Sequence, residues 1–208
     1  MRLLLVRHGE TDWNASGRIQ GATDIPLNDT GRRQALKLQR RLAAVAVHAA
    51  YTSDLSRCVE TARIVLDGQR RPVRRDVRLR STRALRELSY GEWEGATRDE
   101  LEADGHGPWL TAWSSGAPCA TPRGGESREQ ADLRMDHFLS SIFPRHEDDT
   151  VLVVSHGGPL RLLIARLLGR PVRGWGQVRQ ANTALSEVVV HPGGVVHFTR
   201  INDVTHLK

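Results

Sequence analysis

The stretch Met1-Arg2-Leu3-Leu4-Leu5-Val6-Arg7-His8-Gly9-Glu10-Thr11 decides the fold. Leu3 to Val6 is a short, uninterrupted apolar run, the pattern of a buried strand. It stops abruptly at Arg7-His8-Gly9, where a cation, an imidazole and a glycine follow one another. An apolar strand that ends this way places its polar residues at the carboxyl edge of a sheet. That is the edge at which open α/β sheets bind ligands. The pattern makes His8 a candidate nucleophile and Arg7 its phosphate clamp.

Two further strand ends repeat the arrangement. Val47 to Thr52 reads as a strand ending at Ser53-Asp54, before a helix over Leu55 to Leu66 with Leu55, Val59, Ala62 and Leu66 on one face. Arg57 falls in the first turn of that helix, where free backbone N–H groups also favour anions. Thr150 to Val154 is the most strand-like run in the chain. It ends at Ser155-His156-Gly157-Gly158, before a helix over Leu160 to Leu168.

The rest of the chain fills in around these ends. Thr11 to Thr30 is a polar loop holding Asn14, Arg18 and Gln20, and a loop of that length is uncommon unless functional. Asn28-Asp29-Thr30 offers caps for a helix over Gly31 to Val45. Val73 to Leu79 alternates weakly as a third strand, and Glu126 to Glu147 reads as a long helix. Thr183 to Val190 and Val195 to Ile201 read as strands joined by a Pro192-Gly193-Gly194 hairpin. Gly105 to Gly125, rich in Gly, Pro, Ser and Trp, is expected to be irregular. Residues 96–125 are therefore expected to form a cap inserted between core elements, with Trp109 and Trp113 as an apolar wall that selects the substrate.

Bulk properties narrow the classes. A chain of 208 residues is expected to be one domain with a sizeable core. The net charge is +6 and the pI about 10.3. Only Lys37 and Lys208 are lysines, so the basic charge is nearly all arginine. The arginines are scattered from Arg2 to Arg200 without aromatic interleaving, which argues against a nucleic-acid footprint. A modest positive field still attracts small anions. Cys58 and Cys119 lie far apart and in no Cys/His cluster, so neither a disulfide framework nor a zinc site is expected. No apolar run approaches membrane-spanning length, and a cytoplasmic protein is the expectation. A homodimer is compatible with the chain.

Two arginines, two histidines and a helix N-terminus converging on one sheet edge would make a phosphate site. The guanidinium fork fits phosphate oxygens, and neutral imidazole supplies a nitrogen nucleophile. Such a site still needs an acidic side chain to protonate the leaving oxygen.

At this point the residues resemble the histidine phosphatase superfamily, which includes the cofactor-dependent phosphoglycerate mutases. Leu5-Val6-Arg7-His8-Gly9-Glu10-Thr11 looks like its signature. Asn14, Gly17-Arg18-Ile19-Gln20-Gly21, Asp24, Pro26-Leu27 and Gly31 match its first loop. Thr52-Ser53-Asp54-Leu55-Ser56-Arg57 with Thr61-Ala62 matches its second block. Leu85-Arg86-Glu87 with Gly91-Glu92-Trp93-Glu94-Gly95 matches its third. Gly124-Gly125-Glu126-Ser127 and Val154-Ser155-His156-Gly157-Gly158 complete the series, in order along essentially the whole chain.

The resemblance implies an α/β fold, a mainly parallel sheet with helices on both faces and a small cap. It implies that His8 is phosphorylated, that Arg7, Arg57 and His156 grip the phosphoryl oxygens, and that Asn14 and the Gly157 amide donate further. Glu87 would be the general acid and then the base for water, so activity is expected to fall above neutral pH. Arg18 and Gln20 would line the substrate entrance. A protonated His156 is expected to help offset the phosphate charge. No metal or cofactor is implied, since the arginines neutralise the phosphate. Glu92 and Glu94 read as surface residues or understudies of Glu87. The expected activity is hydrolysis of a small phosphorylated metabolite, with no nucleic-acid or membrane partner. The alternatives are a phosphoglycerate mutase and a non-catalytic anion-binding module. Leu88-Ser89-Tyr90 after the glutamate, where mutases typically carry histidine and tyrosine, favours the phosphatase branch.

Overall fold

The computed structural model describes residues 1–68, 77–115, 121–169 and 178–208. Cys119, Trp175 and the start of the expected strand at Val73 lie outside the described residues. Six strands form one sheet in the order β3-β2-β4-β1-β5-β6. They are β1 (Arg2–Arg7), β2 (Ala49–Ser53), β3 (Leu79–Thr82), β4 (Thr150–Ser155), β5 (Leu185–Val190) and β6 (Val196–Asp203). β3, β2, β4 and β1 run parallel; β5 is antiparallel to β1, and β6 to β5.

The apolar run of β1 is continuous because both of its faces are covered. Leu3 and Leu5 pack with Tyr51, Val151 and Val153 beneath α6 (Arg128–Ile142) and α7 (Gly157–Leu167). Leu4 and Val6 pack on the other face with Leu38, Ala62 and Val65 from α2 (Asp29–Leu42) and α3 (Ser56–Asp67). The helices thus lie on both faces of the mainly parallel sheet, as the sequence led one to expect.

Register sets the site. Arg7 of β1 stands opposite Ser155 of β4, so the next residues, His8 and His156, leave the sheet side by side. β2 is paired with β4 through Thr52 and Val154, which brings Ser53 and the start of α3 to the same edge. Close backbone contact then holds the chain after His8 against α2. A Cβ on Gly9 would meet Gly31 O at 2.5 Å, and one on Gly31 would meet Glu10 O at 2.1 Å.

Most element boundaries move by a few residues, and three of the shifts have a clear physical reason. The third strand is Leu79–Thr82, a half-exposed edge strand whose alternation carries little burial signal. The long helix begins at Arg128, not Glu126, because Ser127 caps it by accepting the Gln130 N–H. It ends at Ile142 in a 3₁₀ turn around Pro144, which cannot continue an α-helix. The 105–125 stretch is not wholly irregular either. After α4 (Arg98–Ala103), the helix α5 (Gly107–Ser115) packs Leu110 and Trp113 inward.

Candidate active site

A cleft of about 340 Å³ opens at the carboxyl edge of the sheet. Arg7, His8, Asn14, Gln20, Arg57 and Glu87 line it, and Arg18 stands at its rim. His8 is 2% exposed and Arg57 fully buried. The ring of His8 is fixed at one nitrogen, where Nδ1 lies 2.6 Å from Gly9 O. A carbonyl oxygen only accepts, so the proton sits on Nδ1 and Nε2 keeps its lone pair. The backbone around it is tied down as well. Ser155 O accepts the His8 N–H at 3.0 Å, and His8 O accepts from Thr183 N and Asn182 Nδ2.

Arg57 reaches the cleft from the first turn of α3. Its Nη1 donates to Thr23 O at 2.7 Å and its Nη2 to Gly21 O at 2.8 Å, while Nε donates to His156 Nδ1 at 3.2 Å. Of five guanidinium N–H groups, two have no partner among the described residues and are left for an oxyanion. Arg7 donates through Nη1 to Gln180 O at 2.7 Å. Its buried Nε has no hydrogen-bond partner among the described residues. An unpaired buried donor is costly, and a phosphoryl oxygen would satisfy it. Asn14 Oδ1 receives Thr11 N, Thr11 Oγ1 and Asn182 Nδ2, which leaves its Nδ2 as the group able to donate to a ligand.

Glu87 follows a 3₁₀ turn at Arg83–Leu85. Arg134, itself paired with Glu126, donates to Ala84 O and Arg86 O, and Ser155 Oγ donates to Leu85 O. These bonds hold the segment that delivers the carboxylate. Glu87 accepts the Gly158 N–H, 3.1 and 3.2 Å from its two oxygens, and the Leu88 N–H at 3.0 Å. Glu126 therefore has a structural role.

His156 departs from expectation. It is fully buried behind Arg57 and is not a wall of the cleft; its ring meets that of His8 edge-on with centroids 5.1 Å apart. Because Arg57 donates to Nδ1, the proton of His156 lies on Nε2, 3.3 Å from Cys58 Sγ. Burial first, and then Arg57, His8 and Arg7, push its pKa well below 6.5. Burial and the Arg57 N–H on Nδ1 both favour the neutral ring in the unliganded site. His8 is held neutral the same way, by burial and then by Arg7 and Arg57. Burial also pushes the Cys58 thiol up, so it stays protonated beside these cations.

Two buried neutral histidines have a consequence for stability. Below about pH 6.5 the unfolded chain takes up a proton at each, and the folded chain does not. Stability therefore falls with falling pH, by as much as about 2 kcal/mol per histidine between pH 7 and pH 5. Urea unfolding at the two pH values measures this, and a flat profile would contradict the neutral pair.

At the rim, Arg18 pairs with Glu100 at 2.8 Å and Arg98 with Glu102 at 2.7 Å. The outer wall is Ile19, Tyr90, Trp93, Leu110 and Trp113. Trp109 is 54% exposed and stands outside this wall. The buried stripe of α5 runs through Leu110 and Trp113, and Trp109 sits a helical step off it. The sequence reading did not single out Asn182, which supports both His8 and Asn14, or Tyr90 and Ile19 as wall residues. No local pattern marks them.

The histidine phosphatase superfamily (branch 1) profile matches residues 3–204. The chain belongs to that superfamily. This histidine phosphatase is 37% identical over 181 residues to a glucosyl-3-phosphoglycerate phosphatase of Mycolicibacterium vanbaalenii, covering 84% of this chain and 77% of that one. It is 36% identical over 174 residues to an adenosylcobalamin/alpha-ribazole phosphatase of Salmonella typhimurium, covering 82% and 81%. A probable phosphoglycerate mutase of Cronobacter sakazakii is 36% identical over 188 residues, covering 90% and 84%. Among solved structures, Bacillus stearothermophilus YhfR superposes with a TM-score of 0.88 at 35% identity, covering 100% and 99%. The mycobacterial glucosyl-3-phosphoglycerate phosphatase complexed with VO3 superposes at 0.85 with 29% identity, covering 97% and 98%. The family works through a phosphohistidine, and the chain is a phosphatase of it. Among the described residues, no helix is long and apolar enough to cross a membrane.

Proposed function

We propose that the cleft hydrolyses phosphate monoesters of small, uncharged leaving groups, with the chain acting as one domain and residues 96–125 as its cap. The observation that carries this is the His8 ring. Its Nδ1–H is bound to Gly9 O and its Nε2 is left basic in a cleft shared with Arg7, Arg57 and Glu87. The phosphoryl group seats against Arg7 Nε, the two remaining Arg57 N–H groups and Asn14 Nδ2, with Gln20 and the Gly157 amide beside it. His8 Nε2 attacks phosphorus as the P–O bond to the leaving group breaks, and Glu87 gives its proton to the departing oxygen. Water then attacks the phosphohistidine as Glu87 takes its proton back. The P–N bond breaks, releasing inorganic phosphate and restoring His8. His156 acts by orienting Arg57 from behind. The guanidinium groups carry the charge neutralisation.

The leaving group meets the apolar wall of Ile19, Tyr90, Leu110 and Trp113. Each rim arginine is matched by a carboxylate, so the rim lacks the excess positive charge that a second carboxylate or phosphate on the substrate would call for. That favours phosphatase over mutase chemistry. Assays with p-nitrophenyl phosphate, and with 3-phosphoglycerate with and without bisphosphoglycerate, separate the two. Hydrolysis of the aryl ester without bisphosphoglycerate is expected. Strong cofactor-dependent mutase activity with negligible hydrolysis would reverse the reading.

A further inference from the structure

Glu94, on the loop after Trp93, is the acceptor for five donors. Its Oε1 takes Ala22 N at 3.0 Å, Tyr90 N at 2.9 Å and Ser89 Oγ at 3.3 Å. Its Oε2 takes Thr23 N at 3.0 Å and the Thr23 hydroxyl. Three of the five come from residues 22–23, a segment flanked by the two carbonyls, Gly21 O and Thr23 O, that receive the Arg57 guanidinium. The fit is close. Gly21 has φ +54°, and a Cβ there would fall 2.1 Å from Glu94 Oε1. The far end of the same loop is tied to α3, since Asp24 Oδ1 accepts Ser56 N and Ser56 Oγ at 2.8 and 2.7 Å. Glu92, two residues away, is exposed and shares none of these contacts.

We infer that Glu94 is a positioning residue for phosphate capture. It fixes the Gly21–Thr23 carbonyls, these aim the Arg57 guanidinium, and Arg57 in turn holds His156 through Nε. A carboxylate suits the task because it is acceptor-only, with about four lone-pair sites on two oxygens for the five donors to share. An amide has one acceptor oxygen and would set an N–H against donors on its other side. Arg57 makes no hydrogen bond to Glu94, so beyond the attraction of their charges the effect travels through the loop backbone. A misaimed cation loses catalytic power steeply, since orientation errors near 1 Å cost about 100-fold.

This inference rests on Arg57 being a phosphate ligand, and the test separates the two. Turnover of p-nitrophenyl phosphate is measured for Glu94→Gln, Arg57→Met and the double variant. Glu94→Gln is expected to lower kcat/KM about 100-fold and to weaken vanadate binding about tenfold. In the Arg57→Met background it should change kcat/KM less than twofold, because no cation remains to be aimed. An equal loss in both backgrounds would overturn the relay, as would wild-type activity of Glu94→Gln. If Arg57→Met alone keeps full activity, it is the phosphate-ligand reading that fails. Should Glu94→Gln not fold, Thr23→Val removes one of the five donors and keeps the Thr23 carbonyl. Its expected loss of about threefold must likewise vanish with Arg57→Met, and persistence there overturns the relay.

Discussion

His8→Ala is expected to lower kcat by about 10⁴-fold or more, the scale seen when a covalent nucleophile is removed from a site that works as a unit. Vanadate affinity should change far less, within about tenfold, because Arg7, Arg57 and Asn14 remain. The wild-type enzyme quenched during turnover should carry phosphate in a bond labile to acid and stable to alkali, and the variant should carry none. Removing His8 also removes one of the two buried neutral histidines, so the stability loss between pH 7 and pH 5 should shrink. Full turnover by the variant would dismiss the nucleophile; an unchanged pH profile of stability would dismiss its buried neutral state.

Arg57→Met is the second large effect. It deletes the cation and both N–H groups left for the phosphoryl oxygens, a change comparable to losing an arginine finger, about 10³–10⁵ in kcat/KM. Stability should respond much less. Gly21 O and Thr23 O lose their partner, at about 1–3 kcal/mol for each carbonyl left buried and unpaired. Against this stands the relief of a fully buried guanidinium from desolvation. Arg57 is also one of the charges that hold the His8 and His156 pKa values down. Without it both rise toward the ordinary value, and the acid limb of the residual activity moves to higher pH. A change in kcat/KM below tenfold, or an acid limb that stays in place, would remove Arg57 from the phosphate site.

The acid limb of the wild-type enzyme follows from the same burial. As the proposed nucleophile His8 would attack only when neutral, and burial with Arg7 and Arg57 holds its pKa well below 6.5. The nucleophile therefore stays competent through mildly acidic pH. Any fall in activity on the alkaline side then reports the group that donates the proton to the leaving oxygen, for which Glu87 is the carboxyl in reach.

Part of this site was legible in one dimension. Leu3–Val6 and Val151–Val154 are apolar because each strand is covered on both faces, so their abrupt ends had to lie at the sheet edge. Arg57 was legible because the helix after Ser53 begins one turn from another such end. Glu94 was not. Its five donors come from residues 22–23 and 89–90, brought together only when the loop folds over the cleft. Trp109 was misjudged for a related reason: which stripe of a short helix turns inward depends on what it packs against.

By itself the sequence determined where most strands and helices fall, because these depend on local periodicity, and the resemblance to the superfamily added the mainly parallel sheet and the candidate reacting groups. Only the tertiary structure buried His156 behind Arg57 and gathered donors from residues 22–23 and 89–90 onto Glu94. It also decided that the rim charges cancel. Protonation state and hydrogen-bond geometry are set by desolvation and by neighbours far away along the chain, and those exist only once the chain has folded.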